Sequence, residues 1–223
     1  MEQERNVPAA LRRFCDLCCQ SGVRYPVVLH IVGKAVRVSI YENLTNFAGL
    51  PVVDFRKSGD IKDFAAVAPR VRCTYDDSET LVDFLTLMFA EPGIAATKAL
   101  VLGAWMENGE SYEVSPAKAI EFLVAHKDAL PNLKALFIGD IISEENEMSW
   151  IEQTDLAPIW AAFPLLEEVG VRGGNNLRLS RINHSHLRKL VVQTGGLAKT
   201  ILTDAFEANA PLEHLELWLG SDD

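Results

Sequence analysis

From residue 133 onward apolar residues recur four times in the spacing L-x-x-L-x-L: Leu133, Leu136, Ile138; Leu166, Val169, Val171; Leu187, Leu190, Val192; Leu212, Leu215, Leu217. Side chains of a strand alternate between its faces, so Leu136 and Ile138 fall on one side while Ala135, Phe137 and Gly139 fall on the other. One row is read as core and the other as the lining of a concave surface. The first leucines of successive units are 33, 21 and 25 residues apart, against about 20–29 for a leucine-rich repeat. Only the first step is too long, so it holds an insertion.

Amphipathic segments between these strands predict helices. Ser115-Pro116 is a start signal followed by Ile120, Leu123 and Val124, and Thr154 or Asp155 opens a second stripe of Leu156, Ile159, Trp160 and Phe163. Leu197, Ile201, Leu202, Ala205 and Phe206 make a third. Between Leu179 and His186 there is room only for a turn or a short 3₁₀ piece. Upstream, residues 99–105 have strand character with Leu100 and Leu102 in the core row. Asp77 or Ser78 caps a helix through Leu81, Phe84, Leu85 and Met88, and Val71, Cys73 and Tyr75 alternate before it. The pattern therefore predicts an α/β leucine-rich-repeat solenoid over 67–223, a curved parallel sheet with helices on its convex side. Residues 38–66 read as an amino-terminal cap, and 1–37 as an amino-terminal extension.

The strings FAGLPVVDF (47–55), LGAW (102–105), LFIGDI (136–141), SWI (149–151), VRGG (171–174) and LELWLG (215–220) resemble a bacterial family of uncharacterised cytoplasmic leucine-rich-repeat proteins. The resemblance spans about 40–223 and implies a curved solenoid with no assigned chemistry. Family members continue with further repeats beyond the equivalent of Gly220, which implies an exposed edge at residues 212–219 and self-association through that strand. They also begin near Val38, so residues 1–37 are either an upstream extension or a helical cap built on Leu11, Phe14, Cys15 and Cys18, with a strand at Val27, Val28, Leu29 and Ile31.

Charge narrows the choice of partner. The net charge of −10 lies wholly in residues 91–223, which hold 10 basic and 20 acidic residues, whereas residues 1–90 hold 11 of each. Nucleic acid is excluded as the expected partner, because phosphate demands the opposite sign. No apolar run reaches the ~18 residues of a membrane span, and no secretory h-region follows Met1, so the expected location is cytoplasmic.

Candidate chemistry is sparse. Cys15, Cys18 and Cys19 lack a second ligand pair at zinc spacing, and His184-Ser-His186 lacks a third ligand nearby, so no metal or cofactor is expected. Neither a G-x-S-x-G elbow nor a phosphate loop occurs, and Gly173-Gly174 and Gly195-Gly196 fit tight turns. Two surfaces remain. The concave row offers Trp105, Phe137, Arg172, Gln193, Glu216 and Trp218, the aromatic and arginine types that interfaces favour. The insertion offers Asp140, Glu144, Glu145, Glu147, Trp150 and Glu152, to which Asp155 adds a further carboxylate. The expected function is a non-catalytic protein-interaction module binding a partner with a basic surface. Its alternatives are an enzyme or enzyme accessory using the carboxylates of 140–155, and a structural subunit pairing through an open solenoid end.

Overall fold

The computed structural model describes residues 28–32, 40–106 and 114–218. Its strands are β1 (Val28–Val32), β2 (Asn46–Phe47), β3 (Leu50–Asp54), β4 (Ala68–Cys73), β5 (Ala99–Trp105), β6 (Ala135–Asp140), β7 (Glu168–Arg172), β8 (Lys189–Gln193) and β9 (His214–Trp218). Helices α1 (Leu81–Phe89), α2 (Ala117–Ala125), α3 (Ala157–Ala162) and α4 (Lys199–Phe206) alternate with them. The strands form one open, curled sheet in the order β1-β9-β8-β7-β6-β5-β4-β3-β2. From β3 to β9 each strand lies parallel to its neighbour in the chain.

Register follows directly from the apolar spacing. Leu100, Leu136, Val169, Leu190 and Leu215 align across β5–β9, and Leu102, Ile138, Val171, Val192 and Leu217 form the next row. All ten are buried in one cluster. That cluster includes Leu81, Phe84, Leu85 and Met88 of α1, Ala119, Ile120 and Leu123 of α2, Ile159 and Trp160 of α3, and Ile201 and Ala205 of α4. The helices therefore cover a single face of the sheet. A one-residue slip would send every member of these rows to the opposite side, so burial itself holds the register.

Several expectations need correction. The sheet is mixed, because β2 runs antiparallel to β3. Ala48 and Gly49 connect them with φ of 50° and 77°, the left-handed pair that a two-residue hairpin requires. The edge of β9 is not exposed, since β1 pairs with it in parallel from Val28 opposite His214 to Val32 opposite Trp218. Of the proposed extension 1–37 only 28–32 is described, and Cys15, Cys18 and Cys19 lie outside the described residues.

Helix starts also shift. Thr80, rather than Asp77 or Ser78, caps α1: its hydroxyl accepts from the Asp83 amide while the Asp83 carboxylate accepts from the Thr80 amide. Asp77 instead accepts from the amide and hydroxyl of Thr74 and pairs with Arg56. Pro116 stands at the cap of α2, one position outside the helix. Leu156 is the cap residue of α3, while the Asp155 carboxylate accepts from the Ala157 amide.

The connection from β7 to β8 has no helix, as its length required. His184 fills the role. Its Nδ1 accepts from the amides of His186 and Leu187, and its Nε2 lies 3.0 Å from the Phe163 carbonyl. With Nδ1 accepting, the proton sits on Nε2 and is donated to Phe163. His184 is buried, so it is a structural staple.

Replacing Leu136 or Leu190 by Asp places an unpaired charge where both side chains have no exposed surface. The expected outcome is cooperative loss of the fold, a destabilisation above about 4 kcal/mol, read by circular dichroism melting. The carboxyls of Asp77 and Asp83 both have lowered pKa values. For Asp77, desolvation works the other way but is outweighed by Thr74 and Arg56; for Asp83, the Thr80 amide and hydroxyl are the cause. A depressed carboxyl contributes stability that is present above its unfolded value of about 4 and lost as pH falls through the folded value. Hydrogen exchange of residues 74–89 is therefore expected to accelerate only below about pH 4, and to slow its response in Asp83→Asn.

Candidate interaction surface

The face opposite the helices divides in two. Over β4–β6 it is closed by the chain's own residues 43–52. Phe47 lands edge-on against Phe137 with ring centroids 5.7 Å apart, and the pair is buried with Ala68, Ala99, Val101 and Ala135 beneath Leu44, Leu50 and Val52. The Phe137 ring lies across Gly170 on the next strand, where a Cβ would come within 2.3 Å of it. Glycine is required there by close approach.

Asp140 anchors this cover. Its carboxylate has no exposed surface and accepts from the Leu44 amide at 3.1 Å and from Arg70 at 2.8 Å, with Arg172 at 3.8 Å. The Asn43 side-chain Nδ2 donates to the Asp140 backbone carbonyl. Arg70 also holds Asp54 at 2.5 Å and the Leu44 carbonyl, while Arg72 holds Glu145, the Asn43 side chain and, at 3.7 Å, Asp54. Desolvation opposes the Arg70 charge but the hydrogen bonds to Asp54 and Asp140 outweigh it and raise its pKa. For Arg172 desolvation prevails over Asp140 and Glu145 and lowers it. A guanidinium keeps its proton at any working pH, so Arg172 remains a buried cation with Asp140 as its counter-charge.

Most of the expected concave row is therefore interior. Phe137 is covered by Phe47. Arg172 is 1% exposed, donating to Gln193 on the next strand and to the Ile141 carbonyl, and Gln193 is buried with it. Trp105 belongs to the helix-side core, its indole donating to the Val114 carbonyl. Between Val71–Leu102 and Cys73–Trp105 strand β5 holds one residue more than β4, which aligns Trp105 with the core residue Cys73; a second shift, in which Gly103 pairs with Asp140 and Gly139 at φ 94° is skipped, lies in β6 and brings Asp140 to the covered face. Trp218 is 7% exposed and donates to Glu216, which stays half-buried.

The insertion is also split. Asp140 is buried, Glu145 accepts from Arg72 and the Ile142 amide, Glu152 accepts from Asn176, and Asp155 accepts from Ser180 and the Ala157 amide. Parallel bridges at Glu152–Asn175 and Asp155–Arg178 tie the segment to the following unit. Glu144, Glu147, Ser149 and Trp150 stand out from it, Trp150 at 55% exposure.

Over β7–β9 the same face is buried at Gly170, Arg172, Val191, Gln193 and Trp218 and is partly accessible at Glu168, Lys189, His214 and Glu216. Glu168, Lys189 and His214 stand opposite one another in register, Lys189 2.8 Å from Glu168 and His214 3.5 Å from Glu216. All four side chains are half-buried. The spacing L-x-x-L-x-L already implied Glu168, Lys189 and His214, one position before each central leucine. Likewise Arg70 and Arg72 alternate with Val71 and Cys73. Among the described residues no three His, Cys, Asp or Glu side chains come together as a metal set, and no helix is long and apolar enough to cross a membrane.

No family model and no curated protein matches the chain. A crystal structure of a Bacteroides fragilis protein, a structural-genomics target, is similar at 29% identity and a TM-score of 0.61 over 70% of this chain. That match takes in 44% of the Bacteroides protein, so this chain spans less than half its length. The two share an α/β fold with a curled strand sheet over the matched part.

Asp140→Asn removes the counter-charge of the buried Arg172 and one of the two carboxylates that hold Arg70, and is expected to cost about 3–5 kcal/mol. Glu144→Gln, on an exposed carboxylate, should change stability by no more than about 0.5 kcal/mol. Paired urea melts check both.

Proposed function

We propose that the protein is a non-catalytic protein-binding module of leucine-rich-repeat type. Its contact surface is the strip Glu168, Lys189, His214 and Glu216 together with the outstanding tip Glu144, Glu147 and Trp150. The repeat reading is supported by the in-register stacking of the L-x-x-L-x-L leucines and by strands that follow one another in chain order. Binding is carried by one observation: the concave face is sealed by its own hairpin over β4–β6 but presents half-exposed charged side chains, held on a rigid sheet, over β7–β9.

The acidic balance favours a partner with a basic surface. Opposite charge across an interface speeds encounter and selects partners more than it adds affinity. Carboxylates that an enzyme would use are occupied: Asp140, Glu145, Glu152 and Asp155 each already accept from a neighbouring side chain or amide.

Affinity capture at low and high salt tests the surface. Glu144→Gln with Glu147→Gln is expected to weaken retention of proteins held by the wild type and to flatten its salt dependence. Lys189→Gln should change which proteins are held; the doubly substituted Glu144, Glu147 chain is expected to melt as the wild type, and Lys189→Gln, which loses the pair with Glu168, to shift by no more than about 1 kcal/mol. Glu145 is excluded from the set because it holds Arg72 and the Ile142 amide. Identical capture by all three chains at both salt concentrations would overturn the assignment.

A further inference from the structure

The pairing of β1 with β9 differs in kind from the rest of the sheet. Every other parallel pairing among the described strands joins neighbours in the chain, whereas β1 precedes β9 by more than 180 residues. Among the described residues, all the pairing β1 makes is with β9, over Val28–Val32, and β1 is the last strand of the sheet on that side. Interior strands such as β7 are held on both sides and followed by tightly packed connections.

The register of β1 continues the repeat. Leu29 stands opposite Leu215, His30 opposite Glu216 and Ile31 opposite Leu217. Leu215 and Leu217 are themselves aligned with Leu190 and Val192 of β8. Residues 28–32 thus occupy the position that one more strand of the series would take, with apolar residues at the two positions the series makes apolar. This is strand addition to a sheet edge, in which main-chain hydrogen bonds supply affinity and alternate side-chain positions supply selectivity. The occupant happens to be tethered. A tether supplies an effective concentration on the order of millimolar, so a five-residue strand needs little intrinsic affinity to stay bound.

We propose that the edge of β9 is a strand-accepting site, that residues 28–32 are its occupant within the chain, and that the same segment of a second copy takes the site when it is vacated. An unfilled parallel edge carrying Leu215 and Leu217 in its rows is a template for another strand. The sequence best matched to it is the one already seen there. This inference stands apart from the concave strip and the acidic tip, which use other residues.

The full chain carrying Leu29→Pro and Ile31→Pro tests it, because proline removes backbone donors from a strand. The expected result is faster hydrogen exchange over residues 212–218 in a chain that keeps a native-like circular dichroism spectrum and stays monomeric by light scattering, because the proline-bearing segment of another copy cannot fill the edge either. A synthetic peptide of residues 24–34, added in excess and standing for the segment of a second copy, should restore both the wild-type melting temperature and the slow exchange. A peptide of the same composition in scrambled order should restore neither. Two results would overturn the proposal. One is a variant that keeps wild-type exchange over 212–218, or whose fast exchange the peptide of residues 24–34 leaves unchanged. The other is loss of the whole cooperative melt, which would make β1 part of the core and not a displaceable occupant.

Discussion

The buried carboxylate of Asp140 decides what this sheet can present to the outside. It sits at the end of β6, yet it fixes a backbone amide almost a hundred residues earlier, at Leu44, and two arginines from strands on either side of its own. Removing a charge from water costs several kcal/mol, and that cost is recovered only where the remaining lone pairs are filled with good geometry. Here the filling comes from the segment that closes over Phe137. The ion cluster and the hydrophobic cover therefore depend on each other. Phe47 could not lie on Phe137 unless residues 43 and 44 were held, and Arg172 could not be buried beside Phe137 without Asp140.

How much of this could be read from the chain depends on the range of the contact. The core rows are legible because period two inside each strand and a fixed step between strands are both local properties, and Leu136, Val169, Leu190 and Leu215 align as the spacing requires. The missing helix between β7 and β8 was legible from length alone. Helix starts were less so, since Thr80 with Asp83 competes with Asp77 and Ser78 for the same role, and the loop geometry assigns Asp77 to Thr74 and Arg56. What the pattern could not show was long-range cover. Alternation put Phe137, Arg172 and Gln193 on the correct face, but nothing near them in the chain says that residues 43–52 close over that face. Trp105 was misplaced for a different reason: an extra residue in β5 against β4, between Leu102 and Trp105, breaks the alternation and aligns Trp105 with the core residue Cys73.

The insertion shows how composition misleads when exposure is not known. Six carboxylates between 140 and 155 suggest a solvated acidic loop, yet most serve as acceptors that hold backbone in place of regular secondary structure. Asp155 accepts from the Ala157 amide at the start of α3, Glu152 holds Asn176, and Glu145 closes the turn at Ile142 while neutralising Arg72. An irregular segment leaves amides without ladder partners, and each must be satisfied by some acceptor. Short acidic side chains are suited to that, which leaves only Glu144 and Glu147 as surface charge.

Sealing half of the concave face changes what the other half can be. A concave sheet face that is open throughout can engage an extended partner along its length, but here the lining over β4–β6 is interior, so the contact strip proposed above falls on β7–β9 and the loop tip. That region is also where the sheet ends, in a strand held on one side by β9 alone. The stable part of the molecule, with core rows packed under α1 to α4 and the Asp140 cluster above, thus lies away from the part that offers charged side chains and the last described strand of the sheet. Local stability and local availability are opposed in this way wherever a rigid scaffold carries a binding surface at its margin. The sequence pays for that division in one place, the buried Asp140–Arg172 pair, whose replacement by apolar residues would be compatible with packing but would release residues 43 and 44 from the sheet and reopen the covered half.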